Sequence, residues 1–378
     1  MKKLFAVLLA VLMVIGMVGC SQKEATTTPT GGGDAKKTVY IMGPTPDHGW
    51  TAQAGTYAER KAKEIAEKGE YNATYIPASS GEEQVDQCNQ IVANGDAAIV
   101  VMMPLEDSAA AGQEALYAAG IPFISFDRII ESTEKYAALN TSGDNWAVGA
   151  GIAYWLQQKG LKPGDTVLVI WGDNGTVCKR RAEGFEQFLK GEREYEDQLL
   201  GKFKTEEVWA QDQIDAVMNG YSVVVEPNWS ADGASEYLNQ KFTEIIDTAV
   251  GNTGKLFIYS MDDEMTFGVL NTLDTQITGT DYEAKAEGLE MYCSAIGGMQ
   301  ELYDVMSGKD ATRAAVSEKY FDDIMSMYFS PRMMSDVIDK GLEFLGGNWP
   351  YKQGDGFYTP VFMVTKDTAG STEGFTGH

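Results

Sequence analysis

AAIVVMMPLEDSAAAGQEALYAAGIPFISFD, residues 97 to 127, decides how this chain folds. An unbroken apolar run (97–103) is followed by a helical stretch that stops before Gly120, then by a second apolar run ending at Asp127. Short apolar runs without polar alternation suit strands covered on both faces, and a helix between two of them makes the strands parallel.

The same alternation extends in both directions. TVYIMG (38–43) reads as a buried strand, and Ala54, Tyr57, Ala58, Ala62, Ile65 and Ala66 then share one helical face that ends at Gly69. NATYIPA is a second strand, Ser80 with Glu83 has the form of a capping box, and Val85, Cys88, Ile91 and Val92 make the next helical stripe. After residue 142 the pattern restarts with a helix through Trp146, Ala150, Ala153 and Leu156, the strand TVLVIWG (166–172) and a helix through Ala182, Phe185 and Leu189. YSVVVEP (221–227), a helix through Tyr237, Leu238, Ile245 and Ala249, KLFIYSMDD (255–263) and MYCSAIG (291–297) follow. Such a series predicts an α/β fold of two doubly wound parallel-sheet, Rossmann-like domains. Residues 192–220 and 274–290, polar and weakly periodic, read as surface insertions.

Ahead of the folded part stands MKKLFAVLLAVLMVIGMVGC, with basic Lys2 and Lys3, an apolar stretch from Leu4 to Val18, and Gly19-Cys20. That is an export signal (1–19), too short to span a bilayer as a helix, and its ending resembles a lipobox, with Met17 where leucine is usual. Lipidation is expected at Cys20, followed by a flexible tether through residue 37 rich in Thr, Gly and Pro. The expected location is outside the cytoplasm, facing the periplasm or the outer cell surface, with the membrane reached by the lipid anchor alone.

The chain carries 55 acidic and 30 basic residues, a formal charge of −25. Such a surface repels phosphate backbones, so nucleic acid is not expected as a partner. Two histidines, His48 and His378, exclude a multi-histidine metal centre, and no cofactor motif is present. Beyond Cys20, the thiols of Cys88, Cys178 and Cys293 sit inside expected helix or strand, leaving room for one disulfide at most.

In open parallel sheets ligands bind outside the carboxyl ends of the strands. Those ends here carry Asp47, His48 and Trp50; Asp127 and Arg128; Asn174 and the basic run Lys179, Arg180 and Arg181; Asn228 and Trp229; and Asp262 with Asp263. Carboxylates and guanidinium groups suit bidentate bonds to adjacent hydroxyls, and indole rings suit the apolar C–H face of a sugar, so the set points to a neutral polyol. Blander roles compete: Asp47 and Asp144 as helix caps, Trp50 and Trp229 as packing, two of the three basic residues as solvated helix surface, and His48 as a hydrogen-bonding wall.

On IPFISFDR (121–128), SGDNWAVGAGIAYWL (142–156), RAEGFEQFL (181–189) and SMDDEMTFGVLNTL (260–273), the chain resembles the periplasmic sugar-binding proteins of ABC transporters, of the ribose and galactose type. The resemblance covers roughly residues 38 to 366. It implies two lobes joined by three crossovers: 38–141 plus 330–358, and 142–329 plus 359–378. It also implies sugar-binding roles for Asp127, Arg128, the first-loop residues Asp47, His48 and Trp50, Lys179 or its neighbour Arg180, Trp229, Asp262, and Phe329 before Pro331. Met103-Pro104 replaces an expected Asn, and the Asp expected after the CSAIGG strand is absent.

The implied function is capture of a monosaccharide for an ABC permease. On the same fold, the alternatives are a nucleoside, a furanose autoinducer or a sugar alcohol as ligand, and signalling to a chemoreceptor or sensor kinase. An exported hydrolase working through Asp262 or Asp263 with His48 is the least favoured, since no G-x-S-x-G elbow, metal cluster or phosphate loop is present.

Overall fold

The computed structural model describes residues 36–45, 49–225, 229–347 and 349–376. The signal, Cys20, nearly all of the tether, and the candidates Asp47 and His48 lie outside the described residues.

The first lobe is built on strands β1 (Thr38–Pro44), β2 (Asn72–Ala78), β3 (Ala97–Met102), β4 (Phe123–Phe126) and β5 (Leu139–Gly143). Helices α1 (Gly49–Lys68), α2 (Gly81–Asn94) and α3 (Ala110–Ala118) connect them. The chain then enters α4 (Asn145–Gln158), β6 (Thr166–Trp171), α5 (Thr176–Leu189), a short hairpin β7 (Tyr195–Asp197) and β8 (Gly201–Phe203), α6 (Gln211–Gly220) and β9 (Tyr221–Val224). It continues through α7 (Ala231–Gly251), β10 (Lys255–Ser260), α8 (Asp263–Thr272), α9 (Glu283–Glu287), β11 (Glu290–Gly297), α10 (Gln300–Met306), α11 (Ala311–Tyr320) and β12 (Asp323–Tyr328). Helix α12 (Met333–Leu345) returns to pack on α1 and β3; β13 (Gly356–Thr359) follows, then β14 (Phe362–Thr365) and α13 (Lys366–Ala369).

Strand order is β13-β5-β4-β3-β1-β2 in the first sheet and β14-β12-β11-β10-β6-β9 in the second. Only β14, antiparallel to β12, breaks the parallel pairing in these two sheets. The chain therefore passes between sheets three times: after β5, between β12 and α12, and between β13 and β14. The expected two Rossmann-like lobes and their three-crossover connection are both found.

Local signals behave as their chemistry requires. Ser80 Oγ accepts from Glu83 N at 3.1 Å at the start of α2, and Asp144 Oδ1 accepts from Ala147 N at 2.9 Å, capping α4. The central strands β1 and β3 bury Val39, Ile41, Val100 and Val101 completely. Helices α4 and α5 cross so closely that a Cβ on Gly149 would lie 1.8 Å from the Arg181 carbonyl oxygen. Only a glycine allows that approach, and it seats α5 deep against the second sheet.

Two expectations need correcting. Residues 192–220 are not a surface insertion throughout: Tyr195, Trp209, Ile214, Val217 and Met218 are buried, and α6 packs on β6. Three apolar residues in the i, i+3, i+4 positions were enough, in a stretch whose mean character is polar. In 274–290, Ile277, Ala286 and Leu289 are buried in the same way. The thiols of Cys88, Cys178 and Cys293 are free and buried. No helix among the described residues is long and apolar enough to cross a membrane.

Candidate functional site

A cavity enclosing about 450 Å3 of space, its mouth included, opens where the carboxyl ends of both sheets converge. The first lobe contributes Trp50 and Thr51 from the first turn of α1, Met103 after β3, and Asp127 and Arg128 after β4. The second contributes Val177 and Arg181 from α5, Trp229 ahead of α7, Asp262 after β10, Ile296 and Gly297 at the end of β11, and Phe329 after β12.

Aromatic side chains form the walls. The Trp50 ring lies 6.0 Å from Phe329 and 6.4 Å from Phe126, and its Nε1 donates to the Phe329 carbonyl at 2.8 Å. Trp229 Nε1 donates to Asp173 Oδ2 at 3.1 Å, while its ring lies flat on the backbone at Gly172, where a Cβ would come within 1.9 Å of it. Packing and lining are thus compatible for both tryptophans, since each anchors one edge and presents the rest.

Asp127 and Trp229 are the non-glycine residues with positive φ among the described residues, at 62° and 50°. Asp tolerates that region, but a bulky Trp does so only under constraint, and such strain, on the order of 1–3 kcal/mol each, collects at ligand sites. Both conformations turn side chains of the loops toward the cavity.

The charges form a connected set. Asp127 is 6% exposed, and its carboxylate accepts no hydrogen bond among the described residues. Burial pushes its pKa up, opposed by the nearby guanidinium groups of Arg128 and Arg181. Arg128 bridges to Asp173 Oδ2 at 3.3 Å and also donates to the Leu105 carbonyl. Asp262 caps α8, its Oδ1 accepting from Glu264 N at 2.8 Å. Burial and then the adjacent Asp263 and Glu264 raise its pKa well above the ordinary carboxylate value. Asp263 faces inward, accepting from Gly298 N, Met299 N and Ser326 Oγ at 2.7–2.8 Å, and burial raises it to about 6. Its role is to tie the loop after β11 to α8.

Arg181 is the residue the sequence reading did not select. Only 3% exposed, it donates from Nε to Asn145 Oδ1 at 2.9 Å and from Nη1 to the Met261 carbonyl at 2.5 Å. Its guanidinium lies 4.9 Å from the Phe329 ring centroid and 5.5 Å from that of Trp229. Lys179 instead is exposed on the far side of α5. Arg180 turns away to stack over Trp146 at 4.4 Å and reach Tyr358 at 5.9 Å, bracing the second lobe against β13 of the first. At 3.6 residues per turn, Arg181 shares the inward face with Val177 and Phe185, while residues 179 and 180 rotate off it. That i, i+4 relation to Phe185 was the available signal.

Of the other expected positions, Trp50, Asp127, Arg128, Trp229, Asp262 and Phe329 meet in this one cavity. Met103, noted as a departure from the resemblance, lines it too, as does Ile296. No group of three or more metal-ligating side chains occurs among the described residues. The arrangement offers carboxylate acceptors, guanidinium donors and flat apolar walls, which is binding chemistry for a small hydroxyl-bearing molecule.

Residues 39–289, well over half of the chain, match the periplasmic binding protein domain family, and the chain belongs to it. No curated protein matches the chain by sequence at a significant level. Among solved structures it is similar to the periplasmic binding component of the arabinose ABC transporter of Shewanella sp. ANA-3, which holds L-arabinofuranose (TM-score 0.62, 16% identity, covering 89% of this chain and 94% of that one). It is also similar to an ABC transporter solute-binding protein of Bacillus halodurans C-125 with myo-inositol (TM-score 0.61, 14% identity, 90% and 98% covered). A third is that of Clostridium phytofermentans with β-D-glucose (TM-score 0.61, 18% identity, 88% and 95% covered). At such identities the likeness is one of fold.

Proposed function

We propose that this protein is an exported, lipid-anchored solute-binding protein that captures a monosaccharide between its lobes and passes it to an ABC import permease. The observation that carries the reading is Asp127: a buried carboxylate lining the cavity whose oxygens find no hydrogen-bond donor among the described residues. Its oxygens face the cavity, where vicinal hydroxyls of a sugar would donate to them in charge-assisted hydrogen bonds. Arg128 and Arg181 supply donors to the ring and hydroxyl oxygens, and Trp50, Trp229 and Phe329 cover the C–H faces. Neighbouring carboxylates Asp173 and Asp262 disfavour a phosphorylated sugar. Three of the similar proteins of known structure hold L-arabinofuranose, myo-inositol and β-D-glucose, all polyhydroxylated small molecules. The signal at residues 1–19 and Cys20 supply the route outward and the anchor.

The test is a thermal-shift and calorimetric screen of the chain from Lys36 onward against pentoses, hexoses, cyclitols, nucleosides and amino acids. A saturable shift with one or a few sugars is expected, growing as the logarithm of concentration above the dissociation constant. Asp127→Asn, which keeps the shape and the tolerated backbone conformation, should lower affinity at least about tenfold. Binding of nucleosides or amino acids instead, with sugars inert, overturns the substrate class. Globomycin-sensitive processing and acylation of the full chain, lost in Cys20→Ala, tests the anchor.

A further inference from the structure

Glu264 stands two residues beyond Asp262 in the first turn of α8, yet it does not line the cavity. Its carboxylate leaves its own lobe: Oε1 accepts from the backbone N–H of Gly49, the first residue of α1, at 2.7 Å. The opening N–H groups of a helix have no partner within it, and they carry the positive end of its dipole. A carboxylate of the second lobe therefore caps a helix of the first, one residue before the cavity wall Trp50.

Three further bonds link the lobes or the crossover beside this one. Thr176 Oγ1 donates to the Ile129 carbonyl at 2.9 Å, Arg128 meets Asp173 at 3.3 Å, and Trp50 Nε1 meets the Phe329 carbonyl at 2.8 Å. Arg128 and Trp50 also line the cavity, so losing either mixes recognition with closure. In the Glu264–Gly49 pair neither partner does. It is also charge-assisted, unlike the Thr176 bond, and so the stronger of the two.

We propose that Glu264 is a closure latch, a positioning residue that governs how long the shut lobes retain a bound sugar without selecting which sugar enters. The proposal rests on reading the cleft as the ligand site. Parting the lobes exposes both partners to water, so the bond exists only in the closed arrangement. An interaction confined to one state shifts the equilibrium toward it by its full factor, on the order of tenfold for a hydrogen bond to an ionised group.

Two variants attack the bond from opposite lobes. Glu264→Ala removes the acceptor, and Gly49→Pro removes the donor at a first helical position, where proline is well accommodated. Stopped-flow tryptophan fluorescence with L-arabinose, D-glucose and myo-inositol reads kon and koff, and small-angle scattering without added sugar reads lobe separation. Each variant is expected to raise koff about five- to tenfold for a sugar the unaltered protein binds, with kon within about twofold and the order of preference unchanged. The double variant should be no worse than either single one, because both remove the same bond. Unchanged koff, additive losses or a reordered sugar preference overturns the latch. If none of the three sugars gives a saturable signal with the unaltered protein, the sugar reading of the cleft fails, and scattering alone decides the latch. Larger radii of gyration in both single variants support it, and equal radii overturn it.

Discussion

Replacing Arg181 with methionine keeps most of its volume while removing its charge and both of its hydrogen bonds, to Asn145 and to the Met261 carbonyl. Breaking a buried charge network by deleting one partner typically costs about 3–5 kcal/mol, because the partners left behind remain buried and charged. Those partners are Asp127 and Asp262, whose pKa values burial has raised and Arg181 holds down. The sign of the pH dependence follows. A carboxyl whose folded pKa lies above its unfolded value binds more protons in the native state, so stability falls as pH rises through the interval between the two. Without Arg181 both carboxyls rise further, and that interval lengthens. The penalty is larger near pH 8 than near pH 4, where protonation removes the electrostatic part and the lost hydrogen bonds remain, about 1–2 kcal/mol. At about 2–4 °C per kcal/mol, circular-dichroism melts should show a Tm loss of roughly 6–20 °C at pH 8 that shrinks about two- to threefold at pH 4. A loss that is the same at both pH values would refute the electrostatic role and leave Arg181 as packing.

Asp262→Asn retains the α8 cap, since Asn caps as well as Asp, but deletes a carboxylate whose ionisation burial opposes. Melts should find the variant more stable than the parent at pH 7 and level with it near pH 4, while calorimetry finds sugar binding weakened. Gly172→Ala places a methyl 1.9 Å from the Trp229 ring, forcing the indole into the cavity and off Asp173; about 1–3 kcal/mol of stability should be lost in denaturant titration, and sugar affinity with it. Burial raises the Cys88 and Cys178 thiols to about 12 and Cys293 higher still, so in the chain from Lys36 onward none should react with Ellman's reagent at pH 8 until denaturant is added.

The two-lobed architecture was legible because a strand covered on both faces cannot hide its composition. AAIVVM and TVLVIW could form little else, and the helices between them show one apolar face each. Residues 192–220 were opaque for the opposite reason. Helix α6 buries only Ile214, Val217 and Met218 beneath an otherwise acidic surface, and Tyr195 reaches the core from a three-residue strand. Short elements that borrow their burial from a larger neighbour leave almost no periodic trace, and the contacts that hold them lie far away in sequence. Asp197 shows this well: it accepts from Tyr195 nearby and from Met363 N across 166 residues, at 2.5 and 2.8 Å.

The cavity was legible to the degree that topology alone builds it. Strand ends bring Trp50, Asp127, Arg128, Trp229, Asp262 and Phe329 together whatever their side chains do. Helix rotation, however, chooses among Lys179, Arg180 and Arg181, and only the buried spacing to Phe185 marks the last. What topology could not foretell is how little of this lining stabilises the protein by itself. Asp127 and Trp229 sit at positive φ, Asp127 has no hydrogen-bond donor among the described residues, and burial opposes the ionisation of both Asp127 and Asp262. Each costs free energy that contacts elsewhere must offset: the close crossing of α4 and α5 that seats Arg181, and the bonds that span the lobes. On the proposed reading, a hydroxyl-rich ligand would supply hydrogen-bond donors to these carboxyls, and its binding would convert those local costs into affinity. If the proposed function holds, the same groups that make the cleft an uneasy piece of protein interior also make it selective, and substitutions that ease it should trade sugar binding for stability.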